Sequence, residues 1–376
     1  MKLVRLRIAL IAASLAGTIS RKLLKRPGET LPGRILLLLA PDALSQLARG
    51  RRIVLVSGTN GKTSTTKALA SLISTLGPVA TSRSGSNLTR GAAGVLMQRE
   101  AIAVIEVDEL HLPGVVKAVK PELVLLLNLT RDQLHRMHEV KRVADRWHEM
   151  VKANPETLFI GDIDDPFINY ALVDAKQKLT ISFGGRAHQD GAVCPACGKY
   201  MNWQGVNYNS ECGLSNSGAD LTLATGNASY RNAELASIVA KQFGVTEFPT
   251  RSSNRDMERR ITKKFGEVEA SFRLTKNPAS WVEALAGVEG NRVALILNAR
   301  EVDGIDTSWI WDISYASLKG KEVLVTGERG IDLAYRLHIQ GVEAKLVDSF
   351  DEVIAHFQSG EIEVLAAYTA FHGLVM

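Results

Sequence analysis

From Ile53 to Thr65 the chain reads IVLVSGTNGKTST, and this stretch decides the fold. Ile53 to Val56 is a short, β-branched apolar run, the pattern of a strand buried on both faces. It leads directly into a turn rich in Gly and Asn, then Lys62, then hydroxyl residues that open the helical pattern KALASLIST. A polyphosphate site needs that order. Glycines let successive backbone N–H groups turn toward phosphate oxygens, and the following helix N-terminus adds the positive end of its dipole. Gly58, Thr59, Asn60 and Gly61 supply the loop and Ser64 belongs to the first helical turn. Lys62 would reach the β- and γ-phosphates and the Thr63 hydroxyl would take Mg²⁺. The longer P-loop pattern has Gly where Val56 stands, so this is the shorter GxxGKT form, and it predicts ATP as the ligand.

With 376 residues, 45% of them hydrophobic, the chain can bury a large core and divide into two or three domains. The formal net charge of +5 is mild and diffuse. It suits anionic substrates or an anionic membrane surface, and no nucleic-acid-binding signature accompanies it. Three cysteines, two of them in a CxxC, do not make a secreted disulfide framework, so a reducing cytoplasm is the expected compartment. The N-terminus, MKLVRLRIALIAASLAGTISRKLLKR, has the basic start and apolar centre of a signal peptide. It is short for a transmembrane span, and a cytoplasmic nucleotide enzyme should not be exported. It reads better as a helix with Arg5, Arg7, Arg21 and Lys22 exposed, either packed on the protein or peripheral at the inner face of the membrane.

Farther along, strands and helices alternate. A helix over about 63–76 precedes strands at 78–81, 102–109 and 123–130, and Leu158 to Ile160 leads into GDIDDP. This spacing predicts an α/β fold with a parallel sheet whose ligands bind at the strand C-terminal ends. The segment at about 185–215 is polar, Gly- and Asn-rich and carries all three cysteines, so it reads as an insertion. Helical pattern returns at 232–243, and a second α/β unit follows, with strands at 293–297, 323–325, 343–347 and 364–368 and a helix at 331–339. The expected domains are an N-terminal helix and linker (1–50), an ATP-binding domain (51–265) and a smaller C-terminal α/β domain (266–376).

Three polar clusters fall at strand ends of the first domain. Glu106, Asp108 and Glu109 end one strand, and Glu106 could hold Mg²⁺ opposite Thr63, since that ion prefers oxygen ligands. Asn128, Arg131, Asp132 and His135 end another, and Asp164 and Asp165 a third. Beside a P-loop they make a coherent nucleotide pocket.

The order GTNGKT, SGSN, ExDE, NLxRDQL and DDP resembles the central ATPase domain of the Mur ligase superfamily, and more closely its MurT family. KNPASWVEAL (276–285), LNAREVDGIDTSWIWDISY (297–315), GERGIDLAYRL and AAYTAF carry the likeness through the C-terminal half, the last two as closing strands. The resemblance implies a Mur ligase-like central P-loop domain with a zinc-ribbon-like insertion, and an amide ligase. ATP would phosphorylate the D-glutamate α-carboxylate of the lipid II stem peptide, and ammonia from a GatD-like glutaminase subunit would give D-isoglutamine. It further implies a nucleotide role for Arg255, and Asp303, Asp306 or Asp312 facing the reacting centre or the ammonia route. Two other readings stand beside it: a Mur- or folylpolyglutamate-type ligase that adds an amino acid, and a non-catalytic nucleotide-binding paralogue. Against the first count the short segment ahead of the P-loop, where peptide-adding Mur ligases carry a UDP-sugar domain, and Trp147 where they have a carbamylated lysine. His135 and Met137 also depart from the family pattern, as do Ser229 and the residue before Arg255. Cys194, Cys197 and Cys212 match three of four ribbon positions for Zn²⁺; the fourth is Asn209, with His188 as a nearby substitute.

Overall fold

A computed structural model describes residues 2–24, 30–82, 87–131, 140–247, 260–300 and 303–375. It divides into two units. The first is Met1–Leu129 with Val140–Met257, and the second is Glu258–Met376 with Thr130 and Arg131.

Ahead of the first strand, where a helix and a linker are expected, three helices form: α1 (Lys2–Leu24), α2 (Thr30–Leu39) and α3 (Ala43–Ala48). Among the described residues no helix is long and apolar enough to cross a membrane. The apolar run at Ile53 is β1 (Arg52–Ser57), followed by β2 (Val79–Thr81), β3 (Ile102–Glu106), β4 (Leu123–Leu126), β5 (Leu158–Asp162) and β6 (Lys178–Ser182). The insertion forms an antiparallel hairpin, β7 (Asn202–Gln204) and β8 (Asn207–Asn209), before the short β9 (Leu221–Thr222). Among the described residues the main sheet runs β2-β3-β1-β4-β5-β6-β9, with every pair parallel. Val54 pairs with Val104 on one side and Leu123 on the other. Parallel sheets are covered on both faces, which is why these strands read as unbroken hydrophobic runs.

The helices of this unit continue with α4 (Lys62–Ile73), α5 (Thr89–Leu96), α6 (Leu112–Val119), α7 (Val140–Lys152), α8 (Pro166–Leu172) and α9 (Ala228–Gln242). Leu69 and Ile73 of α4 and Leu235 and Val239 of α9 pack with Val54, Val56 and Leu125 of the sheet. Because the strands are parallel, the turns after β1, β3, β4 and β5 all leave the same edge.

The second unit is a mixed sheet in the order β10-β11-β15-β12-β13-β14. Its strands are β10 (Arg260–Phe265), β11 (Glu267–Leu274), β12 (Arg292–Ile296), β13 (Glu322–Thr326), β14 (Ala344–Leu346) and β15 (Ser359–Ala366). Among the described strands of this sheet only β10 and β11 pair antiparallel. β10 is an exposed edge strand of basic composition, so it carries no buried periodicity to read. Helices α10 (Pro278–Ala286), α11 (Gly330–Ile339), α12 (Phe350–Phe357) and α13 (Tyr368–Val375) complete it. The KNP segment is the start of α10: Asn277 accepts from the Ser280 N–H at 3.0 Å, the Ser280 hydroxyl accepts from the Asn277 N–H at 3.0 Å, and Pro278 takes the first turn. AAYTAF is not a strand throughout; β15 ends at Ala366 and α13 begins at Tyr368. The segment SWIWD is a 3-10 turn over Ser308–Asp312 that packs Trp309 against Trp281 at 6.0 Å.

The N-terminal helices are tied to α5 by close backbone approach. α1 packs on α2 and α2 on α5, and a Cβ on Gly33 would lie 1.8 Å from the Arg90 carbonyl oxygen. Gly33→Ala is therefore expected to cost about 1–3 kcal/mol through overpacking. Thermal denaturation should show the loss, and limited proteolysis should cut the N-terminal helices earlier than in the parent chain.

Candidate nucleotide site and cysteine cluster

The loop after β1 is defined by close backbone approach. Gly58 has φ 145° and Gly61 φ 83°, and a Cβ on either would collide. At Gly58 it would meet the Leu127 Cβ at 2.8 Å; at Gly61 the Asn232 Nδ2 at 2.2 Å. The Thr59 N–H donates to the Asn128 carbonyl at 2.8 Å. The Asn128 side chain holds Asn60 from both sides, accepting from its N–H and donating to its carbonyl, each at 3.0 Å. With Gly61 left-handed as the N-cap, α4 starts at Lys62, which sets the positive end of the helix dipole at the loop. Asn232 on α9 is a loop contact that sequence reading missed, because α9 enters the chain more than 160 residues later.

The side chains at this edge converge as expected. The Lys62 ammonium donates to the Gly58 carbonyl, to the Thr59 carbonyl at 3.2 Å and to Glu109 Oε2 at 3.1 Å. Lys62 and Glu109 are both buried. Pairing of Val56 with Glu106 brings the end of β3 level with the loop, and the Thr63 hydroxyl donates to Glu106 Oε1 at 3.1 Å. The two side chains expected to hold Mg²⁺ thus lie within hydrogen-bond distance of each other, and both offer the oxygen atoms that ion prefers. Trp147 is fully buried and its indole N–H donates to the Glu109 carbonyl at 3.0 Å, so this position braces the turn that carries Glu109.

Asp164 and Asp165 lie deeper, and every carboxylate oxygen of the two has a protein donor. Asp165 Oδ1 caps α8 through the Phe167 and Ile168 N–H groups, and Oδ2 receives the Leu129 N–H, Arg186 and His188. Asp164 accepts from the Ser182 hydroxyl, the Phe183 N–H, Asn216 and Arg231. Burial pushes the Asp165 carboxyl up, but His188 and Arg186 outweigh it and hold the group below the ordinary carboxylate range. Asp162, which sequence reading passed over, shares Arg231 at 2.8 Å. These carboxylates join β5, β6, α8 and α9 into one frame. Asp132, His135, Met137 and Arg255 lie outside the described residues.

In the second unit the three candidate aspartates separate. Asp303 is buried, with Oδ1 on the Thr369 N–H at 2.7 Å and Oδ2 on the Thr369 hydroxyl at 2.7 Å. Asp306 caps the 3-10 turn through the Ser308 N–H at 2.8 Å. Asp312 is 46% exposed and pairs with Arg131 at 2.6 Å.

The cysteines come together across the hairpin. Their three Sγ atoms all lie within 4.8 Å of one another, with Cys194 and Cys212 3.7 Å apart. A tetrahedral Zn²⁺ with bonds of about 2.3 Å separates its sulfurs by roughly 3.8 Å, so the thiols fit such an ion. Of the residues expected near a fourth position, Asn209 accepts from Asn202 through its Oδ1, and His188 lies against the Leu129 carbonyl and Asp165. The Ser210 hydroxyl is also at the cluster, 3.4 Å from Cys197 Sγ and 3.2 Å from Cys212 Sγ. The Ser210 hydroxyl and the Lys199 N–H draw the Cys197 thiol down to about 7, while burial pushes Cys194 up.

Because Asn128 grips the backbone of Asn60 rather than its side chain, two substitutions should separate. Asn128→Ala is expected to weaken ATP binding about tenfold through loss of two hydrogen bonds, measured by titration calorimetry. Asn60→Ala keeps both bonds and should bind ATP more tightly than Asn128→Ala does.

Comparison with known proteins places this geometry in a family. Residues 56–239 match the Mur ligase middle domain and residues 274–371 the MurT ligase C-terminal domain. The chain is 28% identical to the subunit MurT of the glutamine-hydrolyzing lipid II isoglutaminyl synthase of Staphylococcus aureus (strain N315), covering 90% of this chain and 89% of that one. It is 26% identical to the corresponding subunit of Streptococcus pneumoniae (strain ATCC BAA-255 / R6), covering 95% and 94%. Among solved structures, MurF ligase from Thermotoga maritima in complex with ADP shares the fold at a TM-score of 0.58 and 17% identity, over 88% of this chain and 80% of that one. With both domains matched and the likeness running nearly end to end, the chain belongs to the MurT branch of the Mur ligase family of ATP-dependent ligases.

Proposed function

We propose that this chain is the ligase subunit that amidates the D-glutamate α-carboxylate of the lipid II stem peptide, with ammonia delivered by a GatD-like glutaminase subunit. The observation that carries the reading is the joint placement of Lys62, Thr63 and Glu106 at one sheet edge, in a chain that aligns with MurT subunits along nine-tenths of its length. In this reading the N–H groups from Gly61 to Ser64 at the start of α4 cradle the ATP phosphates, while Asn128 takes the Thr59 and Asn60 N–H groups and holds the loop in shape. Lys62 moves from the Gly58 and Thr59 carbonyls to the phosphate oxygens, and Glu109 keeps its ammonium aimed. Thr63 and Glu106 would hold Mg²⁺, which neutralises charge on the phosphoryl group in transfer.

The substrate carboxylate oxygen bonds to the γ-phosphorus as the bond to ADP breaks, which turns a poor leaving oxygen into phosphate. Ammonia then bonds to the acyl carbon, phosphate departs, and the nitrogen gives up a proton. Of the three candidate aspartates, Asp312 is the one we assign to orient ammonium and take that proton. It is solvent-accessible and paired with Arg131, whereas both oxygens of Asp303 are engaged with Thr369. The cysteine cluster is read as a Zn²⁺ site that stabilises the insertion, with Ser210 at the fourth position.

Two experiments test this. The full chain, ATP and lipid II should yield the carboxamide by mass spectrometry when ammonium or a glutaminase subunit with glutamine is supplied, and none without a nitrogen source. Asp312→Asn should slow amide formation by about 10²-fold or more, the scale of a lost acid–base group. Ligation of an amino acid by the chain alone would defeat the reading. For the cluster, elemental analysis of the purified chain should find zinc that Cys194→Ser removes and Ser210→Cys retains against chelator.

A further inference from the structure

We infer that α1 is a membrane-surface helix whose outer face seats in a bilayer containing anionic phospholipid. The inner face of α1, which packs on α2, is made mainly of small residues: Leu6, Ala9, Ala13 and Gly17 are buried. The large residues point outward. Val4, Ile8, Ile11, Leu15 and Ile19 are 56–63% exposed. At 100° per residue these five fall within an arc of roughly 80°, and from Val4 to Ile19 the stripe is about 22 Å long. A helix that rests on a water-soluble protein normally turns charge outward on this face. Here no charged residue occurs from Ile8 to Ser20.

In sequence the charges flank the apolar run on both sides. Residues 2–26 contain seven Lys and Arg and no Asp or Glu. Arg5 and Arg7 flank the first turns, and Arg21, Lys22, Lys25 and Arg26 follow in sequence. Arg5 also donates to the Leu39 carbonyl at 2.6 Å, which brings the end of α2, with Leu38 76% exposed, beside the start of the stripe. An apolar stripe with cationic ends and no acidic residue is complementary to a surface that is apolar below and anionic above, which is what acidic phospholipids present. The same charge opposes a second copy of the helix, whose cations would face its own. With its inner face packed along α2, only the outer face of α1 can meet the bilayer, so the helix lies along the interface.

Vesicle binding reads this without ATP, substrate or partner, so it stands or falls apart from the amidation reaction. The full chain should co-sediment with vesicles of phosphatidylcholine and phosphatidylglycerol, far less with phosphatidylcholine alone, and less again as salt rises. The double variant Ile11→Glu, Leu15→Glu should lose binding at least tenfold while its melting temperature and ATP affinity stay those of the parent. Arg7→Gln, at an exposed position, should weaken binding about fivefold, the share of one cation near an anionic surface. It therefore reports on the charge contribution even where two glutamates disturb α1. The inference is overturned by equal binding to both vesicle types, by no binding to either, or by a double variant that binds as the parent does. A parent chain that ignores vesicles but self-associates through the stripe, with the double variant monomeric, would also overturn it in favour of an interface between copies.

Discussion

Gly58 and Gly61 bracket a loop with no room for a side chain at either end, and the nucleotide site depends on that crowding. β1 lies between β3 and β4, so its C-terminal turn is pressed against Leu127 and Asn128 on the β4 side and aligned with Glu106 on the β3 side. The left-handed Gly61 then lets α4 begin at Lys62 with its first N–H groups facing the turn. Parallel pairing thus sets the loop, the Thr63–Glu106 pair and the lysine in one step. A site built on the ends of buried strands moves little, and that rigidity is what phosphoryl transfer draws on for positioning.

A second constraint lies beneath the loop. Asp162, Asp164 and Asp165 would be costly to bury as bare charges, and they are tolerated because Arg231, Arg186, His188 and backbone donors meet them. Breaking such a network exposes an uncompensated charge, so it specifies one arrangement of β5, β6, α8 and α9. The cysteine hairpin hangs from the same frame: the buried Tyr208 donates to the Ile163 carbonyl at 2.7 Å and accepts from Asn169 at 2.9 Å. The hairpin therefore has a fixed base even though its tip is small and polar.

Much of this was legible because it is local. The strand–Gly–Lys–Thr order and the continuous apolar strands both express rules that act within one or two turns of chain. Residues joined across long separations were not. Glu109 reads as one acidic residue among three until Lys62, 47 positions away, is seen on its carboxylate. Asp164 and Asp165 read as pocket residues because strand-end carboxylates often are, but their donors come from β6, α9 and the insertion. Ser210 gives no signal at all, since a serine beside a cysteine has no distinctive spacing.

The sequence by itself determined the class of fold and the chemistry of the loop, for hydrophobic runs and glycine positions act on neighbouring atoms. Tertiary structure alone decided which carboxylates face the loop and which are anchors, which hydroxyl lies beside the three thiols, and which side of α1 is left uncovered. Those outcomes depend on what packs against each side chain. A helix as apolar as α1 can turn either face inward, and only contact with α2 made the small face the buried one.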